Sequence, residues 1–146
     1  MKFDLAVIAQ ERVESWEALA AESNVTVQIG NVPHIIVSAV NGALEQVIDN
    51  YIDNALAISP AGSTITVNVS TSANTATVHV LDEGPGMPEA DLVRAFNRFW
   101  RAQSDKSGSG LGLAIVERLV TASGGSVALK NRVPHGLDAQ ATFQLG

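Results

Sequence analysis

The chain has no cysteine among its 146 residues, and it has no long apolar run. The lack of cysteine excludes disulfides, thiolate metal sites and cysteine nucleophiles, and it is typical of a reducing compartment. No apolar run approaches the roughly 18 residues that a membrane-spanning helix needs. The N-terminal residues carry acidic side chains early, unlike a secretory signal peptide. We therefore expect a cytoplasmic domain that makes no membrane contact of its own.

Positive charge is scarce as well. Nine lysines and arginines stand against fifteen acidic residues, a net charge of −6, which argues against general nucleic-acid binding. The cations are unevenly placed, and several lie close together: Arg94, Arg98, Arg101 and Lys106. This cluster fits either a compact anionic ligand or an ordinary solvated surface, and the residues alone leave both interpretations open.

The composition is that of a globular protein, with 46% hydrophobic and 16% charged residues. We expect residues 1–146 to form a single domain, because this length suffices for one sizeable core. Hydrophobic periodicity predicts helices at 6–22, 42–57, 88–99 and 111–122, and strands at 25–29, 35–40, 64–70, 75–82, 126–131 and 138–145. The apolar members of the first helix are Ala6, Val13, Trp16, Leu19 and Ala20.

The grouping of these elements favours an α+β fold. Helices and antiparallel strands do not alternate strictly along the chain, so a doubly wound parallel sheet is not expected. The pattern predicts a two-layer α/β sandwich with a mixed, mostly antiparallel sheet of about five strands and three main helices on one face.

A polar stripe follows one side of the predicted helix 42–57. Gln46, Asn50 and Asn54 recur at four-residue intervals, which places them on one face. Asparagine is a mediocre helix former, so two in register suggest a function. An amide oxygen suits Mg²⁺, which prefers oxygen ligands and usually binds together with substrate phosphates. A solvent-facing amide stripe has the same spacing, and the spacing alone favours that plainer interpretation.

Asp82 closes the predicted strand 75–82. The alternate positions from Ala76 to Val80 are apolar, so the carboxylate of Asp82 is expected to point to the core side. A buried carboxylate needs a hydrogen-bond donor, and an amine of a ligand would supply one. Gly84 and Gly86 are expected to leave room beside it for a flat ring. An aspartate that begins a turn at a strand end is the competing interpretation.

Aromatic and basic residues alternate in the segment that follows. Phe96, Phe99 and Trp100 fit a buried helix face, which is the usual meaning of aromatics at that spacing. Arg98 and Arg101 lie on a different side and are candidates for phosphate contacts.

Glycines crowd residues 107–114, which read SGSGLGLA. The stretch lacks the lysine of a Walker A loop and the preceding strand of a dinucleotide fold. Residues 102–110 contain almost nothing to bury and are predicted to be mobile. They lead into the N-terminus of the helix predicted at 111–122, where free backbone N–H groups favour an anion. Taken alone, this is a generic phosphate-binding pattern.

The order of these motifs is more specific than any one of them. Four motifs in sequence resemble the N, G1, F and G2 boxes of bacterial sensor histidine kinases: Asn50-x-x-x-Asn54-Ala55, Asp82-x-Gly84-x-Gly86, Phe96-x-x-Phe99 and Gly108-x-Gly110-Leu111-Gly112-Leu113. That family belongs to the GHKL superfamily, shared with DNA gyrase B, MutL and a heat-shock chaperone. The resemblance covers essentially the whole chain. It implies the Bergerat ATP-binding fold, with ATP and Mg²⁺ as cofactors and residues 102–110 as a lid over the phosphates.

The resemblance also implies roles for individual residues. Asp82 would accept a hydrogen bond from the adenine amine, while Asn50 and Asn54 would bind Mg²⁺ on the phosphates and serve catalysis. Arg98, a further catalytic candidate, and Arg101 would meet phosphate or ribose. The remaining nucleotide-binding candidates are Gly84, Gly86, Phe96, Phe99, Gly108, Gly110, Leu111, Gly112 and Leu113.

The residue at position 50 separates a kinase from a hydrolase. ATPases of the superfamily carry a glutamate there that activates water, and the amide of Asn50 cannot act as a general base near neutral pH. In the kinases the phosphoryl acceptor is a histidine on a separate helical-hairpin domain. Here His34, His79 and His135 lie in predicted strands or loops, and the last two are interpreted as surface residues.

The resemblance thus predicts the catalytic domain of a protein histidine kinase that binds Mg-ATP but does not autophosphorylate in isolation. Its partners would be the histidine-bearing dimerisation domain of the same parent kinase, itself expected at the cell membrane, and a response regulator. Because sensor kinases usually dimerise through the hairpin domain, we expect a monomer.

Two positions depart from the family pattern. After Asn54-Ala55 the family commonly has a lysine or arginine and then an aromatic residue, whereas this chain has Ala57 and Ile58. One phosphate contact is therefore expected to be missing. Two alternatives remain at this point: an anti-sigma-factor-type serine kinase with the same ATP site, and a non-catalytic regulatory module whose ATP site has decayed.

Overall fold

The computed structural model describes residues 1–96 and 112–146. The helices in these ranges are α1 (Leu5–Glu22), α2 (Ala43–Ile58), α3 (Glu89–Arg94) and α4 (Gly112–Ala122). The strands are β1 (Lys2–Asp4), β2 (Thr26–Ile29), β3 (Ile36–Ser38), β4 (Thr64–Thr71), β5 (Thr75–Leu81), β6 (Ser126–Asn131) and β7 (Leu137–Gln144).

Most predicted boundaries agree with these elements to within two residues. The helix predicted at 88–99 is α3, which ends earlier, at Arg94. The end of that prediction and the segment 102–110 lie outside the described residues.

Five strands form the main sheet in the order β2-β4-β5-β7-β6. β2 runs parallel to β4, and the other neighbouring pairs are antiparallel. This mixed, mostly antiparallel sheet confirms the predicted α+β fold. β1 and β3 form a separate two-stranded sheet in which Lys2 lies opposite Ser38. The sequence does not predict β1, because three residues are too few to show an alternation.

The core lies between the sheet and the helices. The apolar face predicted for α2 is buried throughout: Leu44, Val47, Ile48, Tyr51, Ile52 and Ala55. On the sheet, Ile65, Val67 and Val69 of β4 are buried, while the residues between them are only partly covered. The hydroxyl of the buried Tyr51 donates a hydrogen bond to the carbonyl oxygen of Gln140 at 2.7 Å, which ties α2 to β7. α2 is therefore fixed over the middle of the sheet.

The apolar face of α1 is narrower than predicted. Ala9, Val13 and Ala20 are buried, but Leu19 is 49% exposed. The buried positions follow one line along the helix at four- and seven-residue steps, and Leu19 lies one residue off that line. Leu19, an apolar member of the predicted periodicity, therefore does not belong to the buried face.

A polar clamp joins α1 to α2. The guanidinium of Arg12 donates to both carboxylate oxygens of Asp49, from Nε at 2.8 Å and from Nη2 at 3.1 Å. The indole Nε1 of Trp16 donates to Oδ1 of the same carboxylate at 3.0 Å. Asp49 directly precedes Asn50, so the clamp holds α2 at the turn that carries the first candidate site residue.

Removing the carboxylate from this clamp should destabilise the fold. Asp49→Ala leaves the Arg12 guanidinium and the Trp16 indole without their acceptor, and we expect a loss of about 1–3 kcal/mol in the free energy of unfolding. Urea denaturation measures the loss, with Glu17→Ala on the exposed side of α1 as the control. A loss no larger than that of the control would contradict the clamp.

Candidate functional site

The polar stripe of α2 has one asparagine whose orientation is fixed. Nδ2 of Asn50 donates to the carbonyl oxygen of Gln46 at 2.9 Å and lies 3.4 Å from its Oε1. Because the amide nitrogen is engaged, the oxygen of Asn50 is the atom that faces outward. Asn54, one turn further on, makes no side-chain hydrogen bond to another described residue and is only partly exposed.

The first described residue of α4 lies against Asn50. A Cβ built on Gly112 would stand 3.2 Å from Oδ1 of Asn50. The structure therefore brings together a residue of the predicted N box and a residue of the predicted G2 box. Leu113 is partly buried and packs against the core.

Asp82 is buried at the end of β5, as predicted, with 2% of its surface exposed. Its Oδ1 accepts two backbone hydrogen bonds, from the N–H of Gly84 at 2.9 Å and from the N–H of Leu137 at 3.1 Å. No described residue donates a hydrogen bond to Oδ2. The backbone thus fixes one oxygen of the carboxylate, and the other receives no hydrogen bond from the described residues.

The surroundings of Asp82 disfavour the ionised form of its carboxyl group. Burial raises the pKa of Asp82, although the two backbone N–H groups and the positive charge of Arg132 act in the opposite direction. A carboxylate kept in a place that disfavours its ionised form is typical of a functional site.

The two glycines of the predicted G1 box lie where a side chain would meet its neighbours. A Cβ on Gly84 would lie 3.0 Å from the carbonyl oxygen of Ile58, at the end of α2. Gly86 has a φ of +76°, and a Cβ there would lie 2.6 Å from Oδ1 of Asn131. Both glycines therefore have a packing role, and the room that they are expected to leave for a flat ring stays a prediction. Ile58, which departs from the family pattern, directly borders this loop.

Two residues at the end of β6 hold the same loop, and the sequence did not single them out. Oδ1 of Asn131 accepts from the N–H of Met87 at 2.9 Å, and its Nδ2 donates to the carbonyl oxygen of Met87 at 2.7 Å. Nη1 of Arg132 donates to the backbone oxygen of Asp82 at 2.6 Å. In sequence they resemble ordinary turn residues, because their partners lie more than forty positions away.

One stripe of α2 connects the two halves of the site. Asn50, Asn54 and Ile58 follow one another at four-residue intervals on this helix. The stripe meets Gly112 at Asn50 and Gly84 at Ile58. Eight residues of α-helix span about 12 Å, so these two contacts are that far apart along the axis.

The aromatic and basic candidates are only partly described. Phe96 is buried, 7% exposed, in agreement with its predicted core face. Arg98, Phe99, Arg101, Gly108, Gly110 and Leu111 lie outside the described residues. Across the two described ranges there is no group of three or more acidic or histidine side chains able to hold a metal ion. The amide oxygen of Asn50 is of the ligand type that Mg²⁺ accepts.

The described helices are also too short or too polar to cross a membrane.

Comparison with known proteins places this arrangement in a family. The sequence profile of the histidine kinase-, DNA gyrase B- and HSP90-like ATPases matches residues 39–146. The sensor protein CreC of Escherichia coli (strain K12) is 34% identical over 131 residues, which is 88% of this chain and 27% of CreC.

Two solved structures extend the likeness to the fold. The mycobacterial sensor histidine kinase MprB superposes with a TM-score of 0.86 at 26% identity, and the match covers 99% of this chain and 98% of that one. Full-length ShkA in complex with AMPPNP superposes with a TM-score of 0.83 at 26% identity, covering 100% of this chain and 31% of ShkA. The chain spans less than a third of CreC and of full-length ShkA.

These matches confirm the family that the motif order indicates. The chain belongs to the histidine kinase-, DNA gyrase B- and HSP90-like ATPase family, in which it is similar to the ATP-binding catalytic domains of sensor histidine kinases.

Proposed function

We propose that this chain binds Mg-ATP along the α2 stripe and donates the γ-phosphate to a histidine on a separate domain of a two-component sensor kinase. The main observation that supports this proposal is that α2 has two separate contacts on one side. One end of the stripe borders the buried Asp82 loop through Ile58, and the other end meets the start of α4 at Asn50. A separation of about 12 Å is appropriate for a nucleotide with its base at one end and its phosphates at the other.

The Asp82 end of the stripe suits a purine base. Oδ1 is fully used by two backbone N–H groups, so Oδ2 accepts from the exocyclic amine of adenine. Arg132 bonds the backbone oxygen of Asp82, and Asn131 holds the backbone of Met87 in the loop that follows. The base therefore meets a preorganised acceptor, which favours adenine over a base that presents a carbonyl at the same place.

The Asn50 end suits a metal-bound polyphosphate. The oxygens of Asn50 and Asn54 would hold Mg²⁺, which neutralises phosphate charge and orients the phosphates when it is bound. Gly112 has no side chain, so the start of α4 approaches this region closely. Arg98 and Arg101 as phosphate or ribose contacts, and residues 102–110 with Gly108, Gly110 and Leu111 as a lid, remain predictions.

The residue types at this end support transfer to a protein acceptor. Asn50 is an amide whose nitrogen is bonded to Gln46, and it offers no base to activate water. The ShkA structure, which holds AMPPNP, supports the nucleotide, and the similarity to sensor kinases supports a histidine acceptor. The histidine-bearing dimerisation domain and a response regulator are the proposed partners. The proposal further holds that residues 1–146 form one domain, that the isolated chain is monomeric, and that its parent is membrane-anchored.

Asp82→Asn tests the proposed adenine site. The two backbone donors will bind the amide oxygen of the variant, so its NH₂ group takes the place of Oδ2 and faces the adenine amine, donor against donor. We expect a loss of roughly 2–3 kcal/mol, which is about 30–150-fold in the dissociation constant of Mg-ATP. Isothermal titration calorimetry measures it, with Glu83→Gln, a charge removed from the next residue, as the control. Unchanged affinity in a folded Asp82→Asn variant would refute the adenine assignment.

The same residue gives stability a defined pH dependence. Because burial raises the pKa of Asp82 above 3.8, the folded chain binds more protons than the unfolded chain between that value and the raised one. Stability therefore falls as pH rises through this window and stays lower above it. Asp82→Asn should lack this fall and should be at least as stable as the parent at neutral pH. The urea midpoints of both proteins between about pH 4 and pH 8 test this expectation. A variant less stable than the parent at neutral pH would show that burial does not destabilise the ionised carboxylate of Asp82.

Asn131→Ala tests whether the Met87 contacts position the base site. The substitution removes both hydrogen bonds to the Met87 backbone and frees the loop that follows Asp82. We expect Mg-ATP affinity to fall about tenfold, corresponding to the net value of one to two hydrogen bonds. Asn131→Asp, which places a carboxylate oxygen against the carbonyl oxygen of Met87, should lose at least as much affinity, and Asn74→Ala in the β4–β5 turn is the control. Equal affinity in all four proteins would mean that the loop does not need this support.

A further inference from the structure

The side of the main sheet that faces away from the helices carries its own polar cluster. Buried and partly covered residues alternate along β4, β5 and β7, and the helices pack on the buried set. The partly covered set points to the opposite side. In the sheet register, Asn68 lies opposite His79, and Leu81 lies opposite Asp138. Side chains at diagonal positions of adjacent strands are also within reach of each other.

Three of these side chains form a chain of hydrogen bonds. Oγ of Ser70 lies 2.8 Å from Nε2 of His79. Nδ1 of His79 lies 3.0 Å and 3.1 Å from the two carboxylate oxygens of Asp138. Nε2 of Gln140 donates to Oδ2 of Asp138 at 2.9 Å, which helps to orient the carboxylate. His79 lies on the open side of the sheet with 19% of its side chain exposed, because Ser70 and Asp138 cover part of the ring.

The hydrogen bonds define which nitrogen of His79 holds the proton when the ring is neutral. The carboxylate of Asp138 only accepts, so the proton lies on Nδ1. Nε2 then has a lone pair and accepts from the hydroxyl of Ser70. A hydroxyl bonded to a base that is oriented by a carboxylate is the arrangement that activates a serine nucleophile.

A groove of about 330 Å³ lies beside this serine. It is lined by Asn31, Asn68, Val69, Ser70, His79, Leu81 and Asp138. Oδ1 of Asn68 accepts from the backbone N–H of Asn31 at 2.8 Å, which leaves the NH₂ group of Asn68 as a donor. Leu81, on the same side of the sheet as His79, supplies the apolar side chain, and Val69 lines the groove although its side chain belongs to the buried set on the helix side. The groove thus combines a nucleophile, a base, an orienting acid, a donor for a developing oxyanion and a small apolar surface.

We propose that Ser70 is the nucleophile of a second reactive site, specific for small acyl esters, on the open side of the sheet. Oγ of Ser70 forms a bond to the acyl carbon while its proton passes to Nε2 of His79, and Asp138 stabilises the imidazolium. The alcohol leaves with that proton. Water then attacks the acyl-serine, gives its proton to Nε2 and releases the acid, which restores the hydroxyl of Ser70. The NH₂ group of Asn68 binds the oxyanion in both steps.

This site is independent of the nucleotide site. Its side chains point away from the helix layer, whereas Asn50 belongs to α2 and the carboxylate of Asp82 points into the core. Neither site shares a side chain with the other. Loss of Ser70 reactivity would therefore leave the proposed ATP binding untouched, and the converse also holds.

A fluorophosphonate probe tests the proposal on the whole chain without nucleotide. Oγ of an activated serine displaces fluoride from the probe's phosphorus, and peptide mass spectrometry locates the label. We expect the label on Ser70 and none there in Ser70→Ala. Ser72→Ala is the matched control, because the hydroxyl of Ser72 bonds to Thr75 in the adjoining turn and has no histidine partner among residues 1–96 and 112–146. Labelling should be unchanged in that variant.

Two further variants separate an activated serine from a merely accessible one. His79→Gln removes the base, and Asp138→Asn removes the orienting acid; each should slow labelling of Ser70 by on the order of 10²-fold, the usual contribution of a general base. Asp138→Asn decides the question if His79→Gln fails to fold. Labelling that is absent at Ser70, or equally fast with Asn at position 138, would overturn the proposal.

Discussion

The site depends on a carboxylate that the fold buries against its own electrostatic preference. Asp82 ends a central strand, so its side chain follows the alternation of β5 into the core. The backbone partly offsets the resulting desolvation through the N–H groups of Gly84 and Leu137, and both bind the same oxygen. The remaining oxygen receives no hydrogen bond from a described residue, so it can accept one from a ligand. An amine at that place would supply the donor, and this is the physical basis of the proposed specificity for adenine.

Around this carboxylate, the fold fixes distances with a small number of long-range contacts. Arg12 and Trp16 hold α2 at Asp49, Tyr51 ties the same helix to β7, and Ile58 brings its last turn against Gly84. Each contact joins residues far apart in sequence. Together these contacts fix α2 on the sheet. The loop after Asp82 packs against one end of α2, and the start of α4 packs near Asn50.

The sequence alone predicts the features that follow from periodic or alternating apolar residues. The periodicity of α2, the two faces of β4 and β5 and the burial of Asp82 all follow from local patterns, because the layer architecture makes one face of each element apolar. The order of the four boxes was likewise enough to indicate the family. The contacts that the sequence does not predict join residues distant in the chain. They are the clamp at Asp49, the hydrogen bonds between Asn131 and Met87, and the pairing of β1 with β3. His79 shows the same limit, since its two partners lie on different strands. The exposed Leu19 reflects a helix that buries a single line of residues rather than a broad face.

The most direct measurement is a crystal structure of this chain with a non-hydrolysable ATP analogue and Mg²⁺. The account predicts the exocyclic amine of adenine within hydrogen-bond distance of Oδ2 of Asp82, about 2.7–3.2 Å. It also predicts the amide oxygen of Asn50 as a ligand of Mg²⁺, at about 2.0–2.1 Å. A nucleotide bound away from the α2 stripe, or bound there with its base turned from Asp82, would contradict it.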